Sequence, residues 1–198
     1  MERTRQGYHH GDLPAAALAE VDRIVGEQGV AAVSLREVAR RVGVSNAAPS
    51  HHFGDKAGLL TAYATQGFEL LAAHLGEVSG RDDLLTLGQA YVAFAIEWPG
   101  HFAVMFRPEL LHEGDPDLLT AGAGAFGALA AGIASVRGLA PDDEAVRFAA
   151  AGAWSLVHGF ATLWLTGNFD APITTMSETH AVGRSIEELV TTILEATP

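Results

Sequence analysis

An all-α fold follows from three observations on the 198-residue chain. Apolar residues recur at helical spacing, i, i+3, i+4 and i+7, along most of its length. Cap residues open these stretches, and glycine or proline closes them. No run of alternating β-branched residues bounded by hairpin turns is present. The pattern predicts about nine helices.

Residues 1–11 read as a polar arm. Asp12 is placed to N-cap a first helix that tolerates Pro14 in its first turn and runs to about Gln28. Ala17, Val21, Ile24 and Val25 share one face, and Gly29 stops it. Ser34 and Glu37 form a capping box, in which each is expected to bond the other's backbone. Leu35, Val38, Ala39 and Val42 make the apolar stripe of that second helix, and Gly43 ends it. Ser45 is read as the cap of a short third helix reaching about His52. Asp55 opens a long fourth helix. Its buried face is marked by Leu59, Tyr63, Leu70, Leu71, Leu75 and Val78, and Ser79–Gly80 close it.

Further helices are expected near Leu84–Trp98, His101–Met105, Pro116–Val136, Pro141–Thr166 and Glu178–Ala196. Their punctuation is Pro99–Gly100, Pro108, Gly114, Gly138–Pro141 and Gly167–Pro172. No fixed-period repeat appears. The segment Phe148–Gly167 carries no charge over 20 residues, which meets the length test for a membrane span. Ser155, His158, Thr162, Thr166 and three glycines argue instead for a helix buried on nearly every side, in a core and a subunit contact. No membrane association is expected.

Charge divides the chain. Residues 1–60 hold seven Lys/Arg and seven Asp/Glu; residues 61–198 hold five and seventeen, which accounts for the net -12. An acidic body repels nucleic acid and anionic membrane, so only the neutral head can approach either. There is no cysteine, which removes disulfides, thiolate nucleophiles and cysteine-ligated metal sites. That fits a reducing cytosol, and a cytoplasmic protein is expected.

The most informative stretch runs from Ser34 to Phe53. It reads as helix-turn-helix. Ala39 is small where two helices cross, Gly43 turns the chain, and Val38, Val42, Val44 and Phe53 fill a small core. The second helix of such a unit lies in the major groove. A capped helix with Ala-x-x-x-Gly-Val-Ser, followed by His52-Phe53-x-x-Lys56, resembles the N-terminal domain of the TetR family of bacterial transcriptional regulators over about residues 10–60. Trp154-x-x-x-His158-Gly159 is similar to the Trp-His-Gly signature of one C-terminal subfamily, and the arm Gly7–Leu13 looks like that subgroup's. Ser50 stands where members usually carry Tyr or Phe, so aromatic reach to the phosphate is lost there. Pro49 removes one backbone donor from the third helix.

On this reading Ser45 is the cap that aims Asn46 and Ala47 at the groove floor. There Asn pairs with adenine and an alanine methyl touches thymine. His51 is a base or phosphate contact. Ser34, Arg36, Ser50, His52 and Lys56 are placed for phosphates, which fix register. His52 has an alternative reading as a structural, hydrogen-bonded residue. Arg40 and Arg41 read as solvated face, and Arg3 and Arg5 as tail more than minor-groove arm. The window 34–60 sums to +2, so one head neutralises few phosphates. Two heads on a homodimer reading a pseudo-palindrome are therefore required. The Phe148–Gly167 helix and the last helix, with Val182, Ile186, Leu189, Val190 and Ile193, are the expected dimer contact.

The resemblance implies two units, 1–56 for DNA and 57–198 for effector binding and dimerisation. It also implies a small hydrophobic effector among Tyr91, Phe94, Trp98, His101, Phe102, Met105, Phe126, Trp154 and His158, with the fourth helix as lever. The function so implied is a ligand-responsive repressor. A competing reading makes the chain a helical enzyme with His158 or His101 as acid–base group. Against it, no metal-spaced His/Asp/Glu set, nucleophile elbow, phosphate loop or dinucleotide loop is present, and no cofactor is expected.

Overall fold

The computed structural model describes residues 13–78 and 84–168. These fold as eight α-helices and two single 3₁₀ turns, with no strand among them. The expected Asp12 cap, the 1–11 arm and the ninth helix lie outside the described residues.

The head holds α1 (Leu13–Gln28), α2 (Leu35–Val42) and α3 (Ala47–Phe53), with a 3₁₀ turn at Val30–Ala32. Ala17, Val21, Ile24, Val38 and Ala39 are fully buried where α1 crosses α2. Ala39 fits there because a larger side chain would hold the helices apart. Gly43 sits at φ 80° and its N–H reaches the Ala39 carbonyl at 2.9 Å. That left-handed turn excludes most other residues.

Two expectations about caps are corrected. Ser34 Oγ does accept from Glu37 N at 3.2 Å. The Glu37 carboxylate, however, is drawn to Arg40 and Arg41 instead of returning to Ser34. Charged partners outbid a neutral backbone donor for a carboxylate. At α3 the N-cap is Asn46, whose side chain makes no cap bond; Ser45 contributes only its backbone carbonyl, to Ala48 N at 3.0 Å. Both side chains are left exposed.

The body is a bundle around α4 (Lys56–Val78). α4 packs along α7 (Pro116–Arg137) and also against α5 (Leu84–Glu97) and α6 (Pro99–Met105), while α8 (Glu144–Leu165) closes on α5 and α7. A second 3₁₀ turn spans Pro108–Leu110. Asp55 Oδ1 accepts from Gly58 N at 2.8 Å and so caps α4. Asp115 caps α7 through Asp117 N and Leu118 N. α8 starts at Glu144, not Pro141, because Asp143 provides the cap through Ala145 N. Leu59, Leu60, Tyr63, Phe94 and Ile133 lie in the core with almost no exposure.

α8 is not buried on every side within one protomer. Val146, Ala150, Val157, Phe160 and Ala161 face the bundle, whereas Phe148 is 74% exposed and Leu163 and Leu165 are also open. Among the described residues, one face of this weakly amphipathic helix packs in the bundle and the other has no covering element. α7 and α8 are both long and apolar enough to cross a membrane by length and composition; each packs one face in the bundle.

Candidate nucleic-acid interface and apolar cavity

α3 presents Asn46, Ala47, Ser50, His51 and His52 to solvent, while Pro49 anchors its inner side in the core. The missing backbone donor of Pro49 falls in the first turn, where no intrahelical acceptor awaits it. The structure therefore brings the expected base-reading residues onto one open surface. His52 is on that surface as well, with its ring 5.9 Å from His51 and 6.3 Å from Phe53. Ser34 is half-buried; its oxygen holds the Glu37 amide, and its hydroxyl proton remains free for a phosphate.

The cations divide sharply. Arg40 forms a two-point pair with Glu37, at 2.8 and 2.6 Å, and stays exposed as expected. Arg41 corrects the solvated-face reading. Its side chain is 16% exposed and bridges Glu37 at 2.8 Å and Glu27 at 2.9 Å, with Glu20 at 4.0 Å. It is a tie between α2 and α1, and the two carboxylates raise its already high pKa. Hydrogen bonds from the two guanidiniums lower Glu37 to about 2. Arg36 is exposed with no carboxylate partner among the described residues. Lys56 Nζ donates to the carbonyls of Ala31 at 3.1 Å and Val30 at 3.4 Å. It fastens the start of α4 to the α1–α2 turn, leaving one of its three donors for a phosphate.

Between α4, α5, α7 and α8 lies an apolar cavity of about 50 Å³. Phe68, Leu71, Leu75, Tyr91, Phe106, Gly122, Ala125, Phe126, Leu129 and Trp154 line it. Of the nine expected effector residues, only Tyr91, Phe126 and Trp154 are on this wall. His158 sits behind it. Phe94 is fully buried against Trp98, whose other edge meets His74. Met105 packs near Gly67, and His101 faces the head. Phe102 packs between Tyr91, Phe106 and His158. The sequence reading missed the α4 contribution. Phe68, Leu71 and Leu75 fall at helical spacing opposite the small Gly122 and Ala125 of α7, and such a large-against-small match was the available signal.

The polar element beside the cavity is specific. Trp154 Nε1 donates to Tyr91 Oη at 3.1 Å, and Tyr91 Oη lies 2.9 Å from His158 Nδ1. The Tyr91 hydroxyl accepts from the indole and has one proton to give; donating it to Nδ1 leaves no group of the three unpaired and puts the His158 proton on Nε2. Burial raises the Tyr91 phenol above its usual range and lowers His158 below its own. Neutral His158 is then the acceptor of the phenol, and among the described residues no carboxylate is paired with it. Among the described residues no three His, Asp or Glu side chains converge as a metal would need. Trp154→Phe keeps an aromatic ring but removes the donor and part of the indole's volume; unfolding free energy in urea is expected to fall by at least about 1 kcal/mol.

Two families of sequence models match this chain. "Bacterial regulatory proteins, tetR family" covers residues 18–63, and "Tetracyclin repressor-like, C-terminal domain" covers residues 84–194. The HTH-type transcriptional regulator BetI of Ectopseudomonas mendocina is 31% identical over 180 residues, 82% of this chain and 83% of that protein. BetI of Rhizobium meliloti is 50% identical over 55 residues, 26% of this chain and 27% of its own. A Rhodococcus sp. RHA1 protein of unknown function has the same fold with a TM-score of 0.74, 29% identity and coverage of 92% of this chain and 96% of its own. The multidrug binding protein EbrR, solved with imidazole, shares the fold at a TM-score of 0.57 and 18% identity, over 89% of this chain and 93% of EbrR.

Proposed function

Because this chain belongs to the tetR family of bacterial regulatory proteins, we propose that it is a ligand-responsive transcriptional repressor of the cytoplasm. It binds a pseudo-palindromic DNA operator as a homodimer and is released by a small lipophilic effector. One observation carries this reading: α3 exposes Asn46, Ala47, Ser50 and His51 on a head that runs through the long helix α4 into a body with an apolar cavity. The head is residues 1–56 and the body 57–198, with the boundary in the first turn of α4.

Asn46 and Ala47 read bases, and His51 reads a base or a phosphate. Ser34, Arg36, Ser50, His52 and Lys56 hold phosphates, and Ser45 leads the chain into the groove. Since Glu37, Glu27 and Glu20 engage Arg40 and Arg41, few cations remain per head, which favours a two-headed molecule. The open face of α8 supports pairing through that helix and residues 178–196. The Trp154–Tyr91–His158 hydrogen bonds give a physical role to a Trp-His-Gly subgroup signature, to which we assign the body.

The cavity is far smaller than the roughly 300–1,000 Å³ of pockets that hold small molecules. An effector therefore enters by swinging Phe106, Phe126 or Trp154 aside, and its apolar part replaces their contacts. Trp154→Ala is expected to impair the response to a compound recovered from the purified protein more than it impairs DNA affinity without that compound.

Selection of fragments from random duplex DNA by the full chain tests the reading. Recovery of a two-fold symmetric sequence is expected. On the best such duplex, Asn46→Ala should cost about 1–3 kcal/mol and relax base preference at one position per half-site. Equal weakening on every sequence would move Asn46 into the phosphate-holding set.

A further inference from the structure

An open apolar groove of about 310 Å³ lies against the outer wall of the small cavity. Met105, Leu111 and Leu118 are part of its lining, and Leu119 and Glu113 stand exposed at its rim. Leu119 is 58% exposed there, and an apolar concavity rimmed by a charge is the form of a ligand-binding surface. The groove and the cavity have two residues in common, Phe68 of α4 and Gly122 of α7. Phe106 lines the cavity side, and its ring meets that of Phe68 edge-on, with centroids 5.5 Å apart. Gly122 leaves the shared wall thin: a Cβ there would meet nothing within 4 Å.

We propose that groove and cavity are two halves of one site, parted by the Phe68–Phe106 pair, and that the site takes an elongated lipophilic cation with its tail inward and its charge at the rim. The polar atoms set the orientation. Inside, the Trp154 indole N–H, the Tyr91 hydroxyl and His158 Nδ1 are paired with one another, so a polar end would find no free partner. At the rim, Glu113 is the only ionisable side chain among the described residues that line the groove. Charge sets the sign. Residues 61–198 sum to -12, a field that draws cations to the body and repels anions. Size agrees as well, because the groove reaches the roughly 300–1,000 Å³ of small-molecule pockets and the cavity alone does not. The apolar length supplies affinity, and one exposed carboxylate supplies preference for a cation. The proposal rests on the regulator reading for the consequence of binding, release from DNA, and not for binding itself.

The probes are decylammonium, decanol and decanoate, chains of equal length that differ in charge, titrated calorimetrically into the full chain at neutral pH and below their aggregation concentrations. Decylammonium is expected to bind most tightly and decanoate least. Gly122→Leu fills the shared wall and should weaken decylammonium at least about tenfold, the worth of roughly two buried methylenes. Urea denaturation of that variant should show no loss of stability, since leucine is the better helix former. Glu113→Gln, on an exposed side chain, should weaken decylammonium about two- to fivefold and leave decanol unchanged. Asp142→Asn makes the same charge change on the exposed turn between α7 and α8 and should leave decylammonium nearly unchanged. Equal binding of the three probes, full affinity in Gly122→Leu, or equal losses in Glu113→Gln and Asp142→Asn would each overturn the proposal. The duplex selected by the wild-type protein then separates the two readings. Decylammonium uptake with no duplex binding at any salt sinks the regulator reading and leaves the site standing; duplex binding with no decylammonium uptake does the reverse.

Discussion

Replacing Gly58 by alanine is expected to unseat the head, with the largest effect of any single methyl group in this protein. A Cβ built at Gly58 lies 2.0 Å from the carbonyl oxygen of Phe53 and 3.1 Å from its carbon. Both belong to backbone, so no side-chain rotation relieves the contact. Either α3 must move from the first turn of α4, or the hydrogen bond from the Gly58 N–H to the Asp55 carboxylate must break. The cost is about 3 kcal/mol in unfolding free energy, at the upper end for overpacking. Because the displaced element is α3, duplex affinity should fall further than stability alone explains. Urea denaturation and duplex titration of the same preparation measure both. Gly26→Ala is the control: nothing lies within 4 Å of its Cβ, and it sits on the exposed side of α1. It should stabilise by roughly 0.5–1 kcal/mol. Equal behaviour of the two variants would contradict the close approach at Gly58.

Phe94→Ala is expected to cost about 3–5 kcal/mol in the same denaturation experiment. Phe94 has no exposed surface, and its ring lies 5.3 Å from that of Trp98. Removing it leaves a void in the core that its neighbours cannot close without disturbing their other contacts. Phe126, half-buried on the cavity wall beside Trp154, should cost much less when truncated, because space already exists there. The pair separates core from pocket within a set of aromatics that the sequence placed together. If Phe94→Ala were tolerated as well as Phe126→Ala, Phe94 would belong to the effector wall after all.

The head was largely legible. Ser34, Ala39, Gly43 and Pro49 act through local backbone chemistry, and each constrains only a few neighbouring residues. Local rules therefore placed α1 to α4 within a residue or two, and put Asn46, Ala47, Ser50 and His51 on one surface. The failures in the head concern competition. Glu37 had two possible partners, the Ser34 amide and the arginines, and spacing alone did not rank them. Arg41 looked solvent-facing on its own helix, yet Glu20 and Glu27 of α1 reach it.

The body was legible as helices but not as a site. Tyr91, Phe94, Trp98 and Phe102 are equally aromatic in sequence, and helical spacing gives only the face each occupies. The facing helix decides whether that face meets a cavity, a neighbour or solvent. α7 does so with Gly122 and Ala125, which leave room beside Tyr91 and Trp154. α8 shows the same limit: an uncharged run read as buried on nearly every side, while one of its faces is open within the protomer.

The amino-acid sequence by itself determined the existence of the eight described helices, the glycine and proline turns between them, the exposed surface of α3 and the neutral head on an acidic body. All of these depend on residues a few positions apart or on charge summed along the chain. Tertiary packing alone decided that Lys56 is clasped by the α1–α2 turn, that the Tyr91 hydroxyl is shared by Trp154 and His158, and that His101 of α6 lies beside Asp22 of α1. Those contacts join residues far apart in the chain, and their strength depends on burial and on who else competes for the same atom.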